Sequence, residues 1–186
     1  HQEGLLVCSA CLGGELSQSI LRGEDTKVQS TIDFYRNLFP DRYYLEVQDH
    51  PGSAEQRQVN RRIFELSKTT GLPVVATADV HYIRPDDKEA HDALLCVQTG
   101  KLVADNNRLK LTDYDIFLKS EQQILQAFTG HEEVIRNTKA VAERSELKLQ
   151  LGQPRLPKFP TPTNTTAINY LRQLAEAGLK ERYQLV

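Results

Sequence analysis

Asp79-Val-His81 places a carboxylate and an imidazole two residues apart at the end of the apolar run Leu72 to Ala78. On a strand that spacing turns both side chains to one side, and the pair suits a borderline divalent metal. The same pair also makes ordinary hydrogen-bonded turns, so a metal site needs a second strand end. Val7 to Leu16, VCSACLGGEL, offers two cysteines three residues apart. A zinc ribbon would need a second such pair, whereas the remaining cysteine, Cys96, is isolated, and a thioredoxin-like motif should open a helix directly after a strand. Cys8 continues Leu5-Leu6-Val7 and reads as a small core residue. Cys11 lies past that run, before Leu12-Gly13-Gly14, where a side chain sits at the rim of a sheet. Glu46 and His50, in LEVQDH, stand on or just past another strand, where they either orient ligands or simply face solvent. His91 reads as a surface or hydrogen-bonded residue, and His1 and His131 have no evident partner. Arg57, Arg61, Arg62 and Lys68 read as a solvated helix face, with phosphate contact as the alternative.

The elements that must hold these residues follow from periodicity. Leu5 to Cys8 reads as a short strand ended by Gly13-Gly14. Thr26 to Phe39 carries Val28, Ile32, Tyr35 and Phe39 at helical spacing. Tyr43 to Gln48 alternates with Leu45 and Val47 on one face. Val59, Ile63 and Leu66 mark a helix that Gly71-Leu72-Pro73 ends, and Leu72 to Ala78 is a β-branched run. Asp86 to Val97 aligns Ala90, Leu94 and Val97 on one face. Ser120 to Gln123 has capping-box spacing, and Val134, Thr138 and Val141 define a further helix. This β-α-β-α rhythm predicts parallel strands with right-handed crossovers, whose chemistry gathers at the carboxyl ends of the strands.

Composition bounds the function. The chain has 186 residues and a formal charge of −2, so no global basic field points to nucleic acid. No run approaches the ~18 apolar residues of a membrane span, and no signal peptide is evident, so a cytoplasmic protein without a membrane partner is expected. Three cysteines argue for reduced thiols. Methionine is absent even at position 1, which predicts a partial or processed chain. Four of the eight prolines fall between Pro154 and Pro162, which forbids regular helix or central strand there. Residues 1–152 are therefore expected to form one domain, 153–165 a proline-rich linker, and 166–186 the first helix of a further domain, with Ile168, Leu171, Leu174, Ala175 and Leu179 as its apolar stripe.

SACLGGEL, YYLEVQDH, GLPVVATADVHYIRPDDKEAHDALLCVQTGK, LPKFP and YLRQLAEAGLKERY together resemble the alpha subunits of bacterial DNA polymerase III. The similarity is to the second half of their N-terminal polymerase and histidinol phosphatase (PHP) domain, running into the polymerase core. It implies a partial, distorted β/α barrel lacking its N-terminal side, and a phosphoesterase site of up to three metals at its carboxyl mouth. The family's ligands in this region, a Cys or His before a glycine turn and an Asp-x-His, fall on Cys11, Asp79 and His81. Cys8 is then a neighbour of a ligand and not half of a pair. Thiolate with oxygen and nitrogen donors suits Zn²⁺ or Mn²⁺.

The family's first His-x-His motif has no counterpart here, and the carboxylates that hold Mg²⁺ for nucleotide addition would lie beyond residue 186. The resemblance implies a replicative DNA-directed DNA polymerase whose PHP portion serves a metal-dependent 3′-to-5′ proofreading exonuclease, this segment alone being inactive. DNA, deoxynucleoside triphosphates and other holoenzyme subunits are the implied partners. The alternative is a catalytically silent PHP scaffold that braces the polymerase and binds partner subunits. A stand-alone histidinol-phosphatase-like hydrolase fits less well, because LPKFP and the tail that follows belong to the polymerase pattern.

Overall fold

The computed structural model describes residues 2–154 and 156–183; His1 lies outside them. The chain divides into one unit through Glu146 and a second from Leu147 onward. In the first, β1 (Val7–Cys8), β2 (Tyr43–Gln48) and β3 (Val74–Thr77) pair in parallel in the order β1-β2-β3. The helices α1 (Glu15–Leu21), α2 (Asp25–Leu38) and α3 (Ala54–Thr70) carry the chain between them. A 3-10 turn at Pro85–Asp87, then α4 (Lys88–Thr99), α5 (Glu121–Ala127) and α6 (Glu133–Arg144), follow β3. The result is a mixed α/β fold on a small parallel sheet, with three strands in it and no closed barrel among the described residues.

The pattern read from β2 fixes the layers. Leu45 and Val47 are fully buried with Val28, Ile32, Val59, Ile63 and Val134 in one core between sheet and helices. Each such side chain contributes about 1.5–3 kcal/mol by leaving water. The outer edge of β3 is closed by side chains of α6: Asn137 Nδ2 donates to the Val74 carbonyl at 2.7 Å, and Thr138 Oγ1 accepts from Ala76 N at 3.2 Å. These replace the ladder partners that an edge strand lacks.

The structure corrects two expectations and completes a third. Cys8 is half-buried and outside the core; Val7 is the β1 residue that packs there, so strand alternation turns Cys8 to the other face. Ala90, Leu94 and Val97 do share a face of α4, but it is the exposed one, Val97 being 79% exposed, while Asp92, Leu95 and Cys96 turn inward. Asp92 is tolerated there because Arg108 grips both its oxygens at 2.6 Å. His131, for which the sequence offered no partner, stacks on Phe64 with ring centroids 3.6 Å apart and places Nδ1 3.2 Å from Glu133.

In the second unit α7 (Ala167–Tyr183) is preceded by residues without helix or strand among those described. The Phe159 ring stacks on Tyr170 at 6.1 Å between centroids. Ile168, Leu171, Leu174 and Leu179 are exposed. No helix among the described residues is long and apolar enough to cross a membrane.

Candidate metal centre

Because the three strands are parallel, the turns after β1, β2 and β3 emerge at one end of the sheet. Cys11 follows β1, His50 follows β2 and Asp79 follows β3, and all three line one cavity of about 130 Å³. Leu12, Gln48, Gln56, Leu111, Tyr114 and Ile116 complete its wall. The chain must turn sharply to deliver two of these groups. Ala10 and Asp79 both adopt left-handed backbone conformations, with φ of 67° and 46°, a choice that costs a non-glycine residue about 1–2 kcal/mol.

Local chemistry fixes the first turn. A Cβ on Gly14 would stand 2.8 Å from the Ser9 carbonyl oxygen, so only glycine allows the chain to fold back into α1 there. Gln18 Nε2 then donates to the Leu12 carbonyl at 2.7 Å and anchors the Cys11 turn from the helix.

The cavity is roofed by the long connection between α4 and α5. His81 N donates to the Ile116 carbonyl at 2.8 Å and Leu118 N to the Tyr82 carbonyl at 3.0 Å, a short parallel bridge that pins the roof beside β3. On the β2 side, Lys119 Nζ donates to the carbonyl oxygen and to Oδ2 of Asp49, both at 2.6 Å. That ammonium is almost wholly buried, and burial is tolerable because its charge is paired and hydrogen-bonded. Asp113 O comes so close that a Cβ on Gly52 would lie 2.8 Å away. Tyr114 meets His50 edge-on at 5.2 Å between ring centroids.

His50 is only 3% exposed, and its Nδ1 has no hydrogen-bond partner. Burial, then the Lys119 cation, lowers its pKa, which holds the imidazole neutral near pH 7 with a free lone pair on one nitrogen. Gln56 is equally buried, and its Oε1 is likewise unpartnered. A buried polar atom left unpaired costs about 1–3 kcal/mol, so two of them around one cavity are a reason to expect something bound. The acceptors present suit a cation.

Asp79 Oδ1 lies 3.4 Å from His81 Nε2, on the rim. His81 itself is outside the cavity wall and packs its ring edge-on against His91 at 5.3 Å. Among the described residues, no three His, Cys, Asp or Glu side chains stand close enough together to grip a metal as they are. Glu46 also lies outside the wall. It accepts from Thr77 Oγ1 at 2.5 Å and from Gln48 Nε2 at 3.3 Å; burial, and then the Glu46 carboxylate, pushes the Cys8 thiol up to about 11. Two of the four basic residues of α3 are engaged within the protein: Arg62 pairs with Asp25 and Glu65 at 3.0 Å, and Arg57 donates to the Pro51 carbonyl.

Sequence reasoning missed Gln56, Tyr114 and the roof. Gln56 sits on the helix after His50 at a position that patterning marks as polar and therefore exposed. Residues 101–119 carry no period at all.

The parallel sheet carries Cys11, His50 and Asp79 in the turns at its carboxyl end, and residues 1–50 match the PHP domain family. The particular relatives are DNA polymerase III alpha subunits. That of Treponema pallidum is 37% identical over 100% of this chain and 16% of its own length. The subunits of Borreliella burgdorferi and Pseudomonas aeruginosa are 33% and 32% identical over 99% of the chain. The resemblance to this family therefore holds along the whole sequence, although the chain spans about 16% of the length of the curated relatives it matches.

Proposed function

We propose that this chain is the PHP-containing segment of a replicative DNA-directed DNA polymerase alpha subunit, and that its cavity contributes to metal-dependent 3′-to-5′ removal of mismatched nucleotides. The segment corresponds to the later part of a β/α barrel that is completed elsewhere in the protein. The observation that carries the reading is the cavity after β1 and β3, which Cys11 and Asp79 both line together with His50 and Gln56, two residues with unpaired buried polar atoms. Cys11, Asp79 and His81 are the proposed ligands, for Zn²⁺ or Mn²⁺. A bound divalent cation would polarise a phosphate ester and lower the pKa of water in the site. The chain's own part is positional. Asp79 brings a carboxylate into the wall, His81 can join it by rotation of its exposed ring, and Glu46 steadies the end of β3 through Thr77.

A second reading, a silent scaffold within the holoenzyme, is favoured by His81, which turns to His91 and away from the cavity. Primer degradation separates the two. In the full-length protein with added Mn²⁺ or Zn²⁺, replacing Asp79 or His81 by alanine should abolish removal of a mismatched 3′ nucleotide while extension of a matched primer continues. Degradation that survives both replacements would leave the scaffold.

A further inference from the structure

We propose that residues 146–151 are a β-strand without its sheet in this segment, and that in the full-length polymerase subunit they add to an open sheet edge elsewhere in the polypeptide. This rests on the reading of the chain as part of that longer protein, and not on the metal. Helix α6 runs out at Ser145, whose backbone is already extended, with φ −91° and ψ 95°. The sequence ELKLQL follows, and Gly152 then turns the chain with a left-handed φ of 77°. Between these limits every residue keeps a negative φ. The span is that of an ordinary strand, about 5–6 residues.

Leu147, Leu149 and Leu151 alternate with Lys148 and Gln150. An extended chain puts the leucines on one face and the polar side chains on the other. At helical spacing Leu149 would stand opposite Leu147 and Leu151. The pattern is that of a strand with one face covered, yet the three leucines are 81%, 70% and 85% exposed. Among the described residues, no backbone hydrogen bond ties Leu147, Leu149 or Leu151 to a helix or strand. The main chain thus decides what kind of partner fits. A helix laid on the leucines would leave both rows of peptide groups unpaired, whereas a sheet edge pairs one row and receives alternate side chains on its apolar side. The relatives have room for such a sheet, because this chain spans about 16% of their length.

Hydrogen exchange read by mass spectrometry, on peptides spanning 145–152, compares this chain with the full-length subunit. The amides should exchange freely in this chain and at least about 100-fold more slowly in the full-length protein. There, Leu149→Gln should remove the protection, and Lys148→Gln, on the other face, should keep it. In this chain both substitutions should leave the thermal transition unchanged. Unprotected amides in a full-length preparation that extends primers would overturn the inference and leave the polymerase reading in place. A folded full-length protein that extends no primer would remove that reading and the inference with it. Protection already present in this chain would also overturn the inference, and its loss on dilution would assign the strand to a second copy. So would equal loss of protection from both substitutions, since a strand has two unlike faces. Should Leu149→Gln fail to fold, Leu149→Ala takes its place in the comparison.

Discussion

Cys8 and Cys11 stand three residues apart in sequence and in unlike surroundings. Cys11 is exposed beside the cavity, whereas Cys8 is half-buried near Glu46, with its thiol pushed up to about 11. Only a thiolate attacks an electrophile or binds a metal. With an alkylating reagent near pH 8, Cys11 should be modified first, Cys8 should follow only as the pH approaches 11, and buried Cys96 should react after unfolding. Peptide mass mapping of the time course checks this order; equal rates at Cys8 and Cys11 would mean that the two share an environment. The sequence separated these cysteines because Cys8 extends an apolar run and Cys11 precedes a glycine turn. It could not give Cys8 its true face, since β1 is two residues long and alternation cannot be read from so short an element.

Among the elements, those with a clear period and a cap were readable. Ser120 caps α5, accepting from Gln123 N at 3.3 Å while Gln123 Oε1 accepts from Ser120 N at 2.8 Å, as the capping-box spacing implied. Ser120→Ala should cost about 1 kcal/mol. Leu94→Ser, on the exposed face of α4, should cost under about 0.5 kcal/mol. Urea unfolding followed by circular dichroism compares them, and a reversal of the order would place the inward face of α4 wrongly. Helix α1 went unseen because ELSQSIL puts two serines among its apolar residues, and both Ser17 and Ser19 are buried. Periodicity put Ala90, Leu94 and Val97 on one face of α4, as the structure has them, but did not say that this face is the exposed one. Burial of Asp92 depends on Arg108, sixteen residues away, a pairing that no local pattern contains.

At the scale of the molecule, the parallel order β1-β2-β3 is what converts three separate turns into one site. The β-α-β rhythm made that arrangement legible, and it predicts that groups after successive strands meet at one end. The roof was not legible, because residues 101–119 are held by tertiary bonds from Lys119, Ile116 and Leu118 and by the approach of Asp113 to Gly52. The proposed function places a divalent cation in the cavity behind this roof. Anomalous diffraction from crystals grown with Mn²⁺, recorded on both sides of the manganese edge, locates the ion directly. A peak is expected inside the cavity, within about 2.5 Å of Cys11 Sγ and an Asp79 carboxylate oxygen. A cavity containing only ordered water, with manganese absent or confined to the His81–His91 pair on the rim, would contradict it.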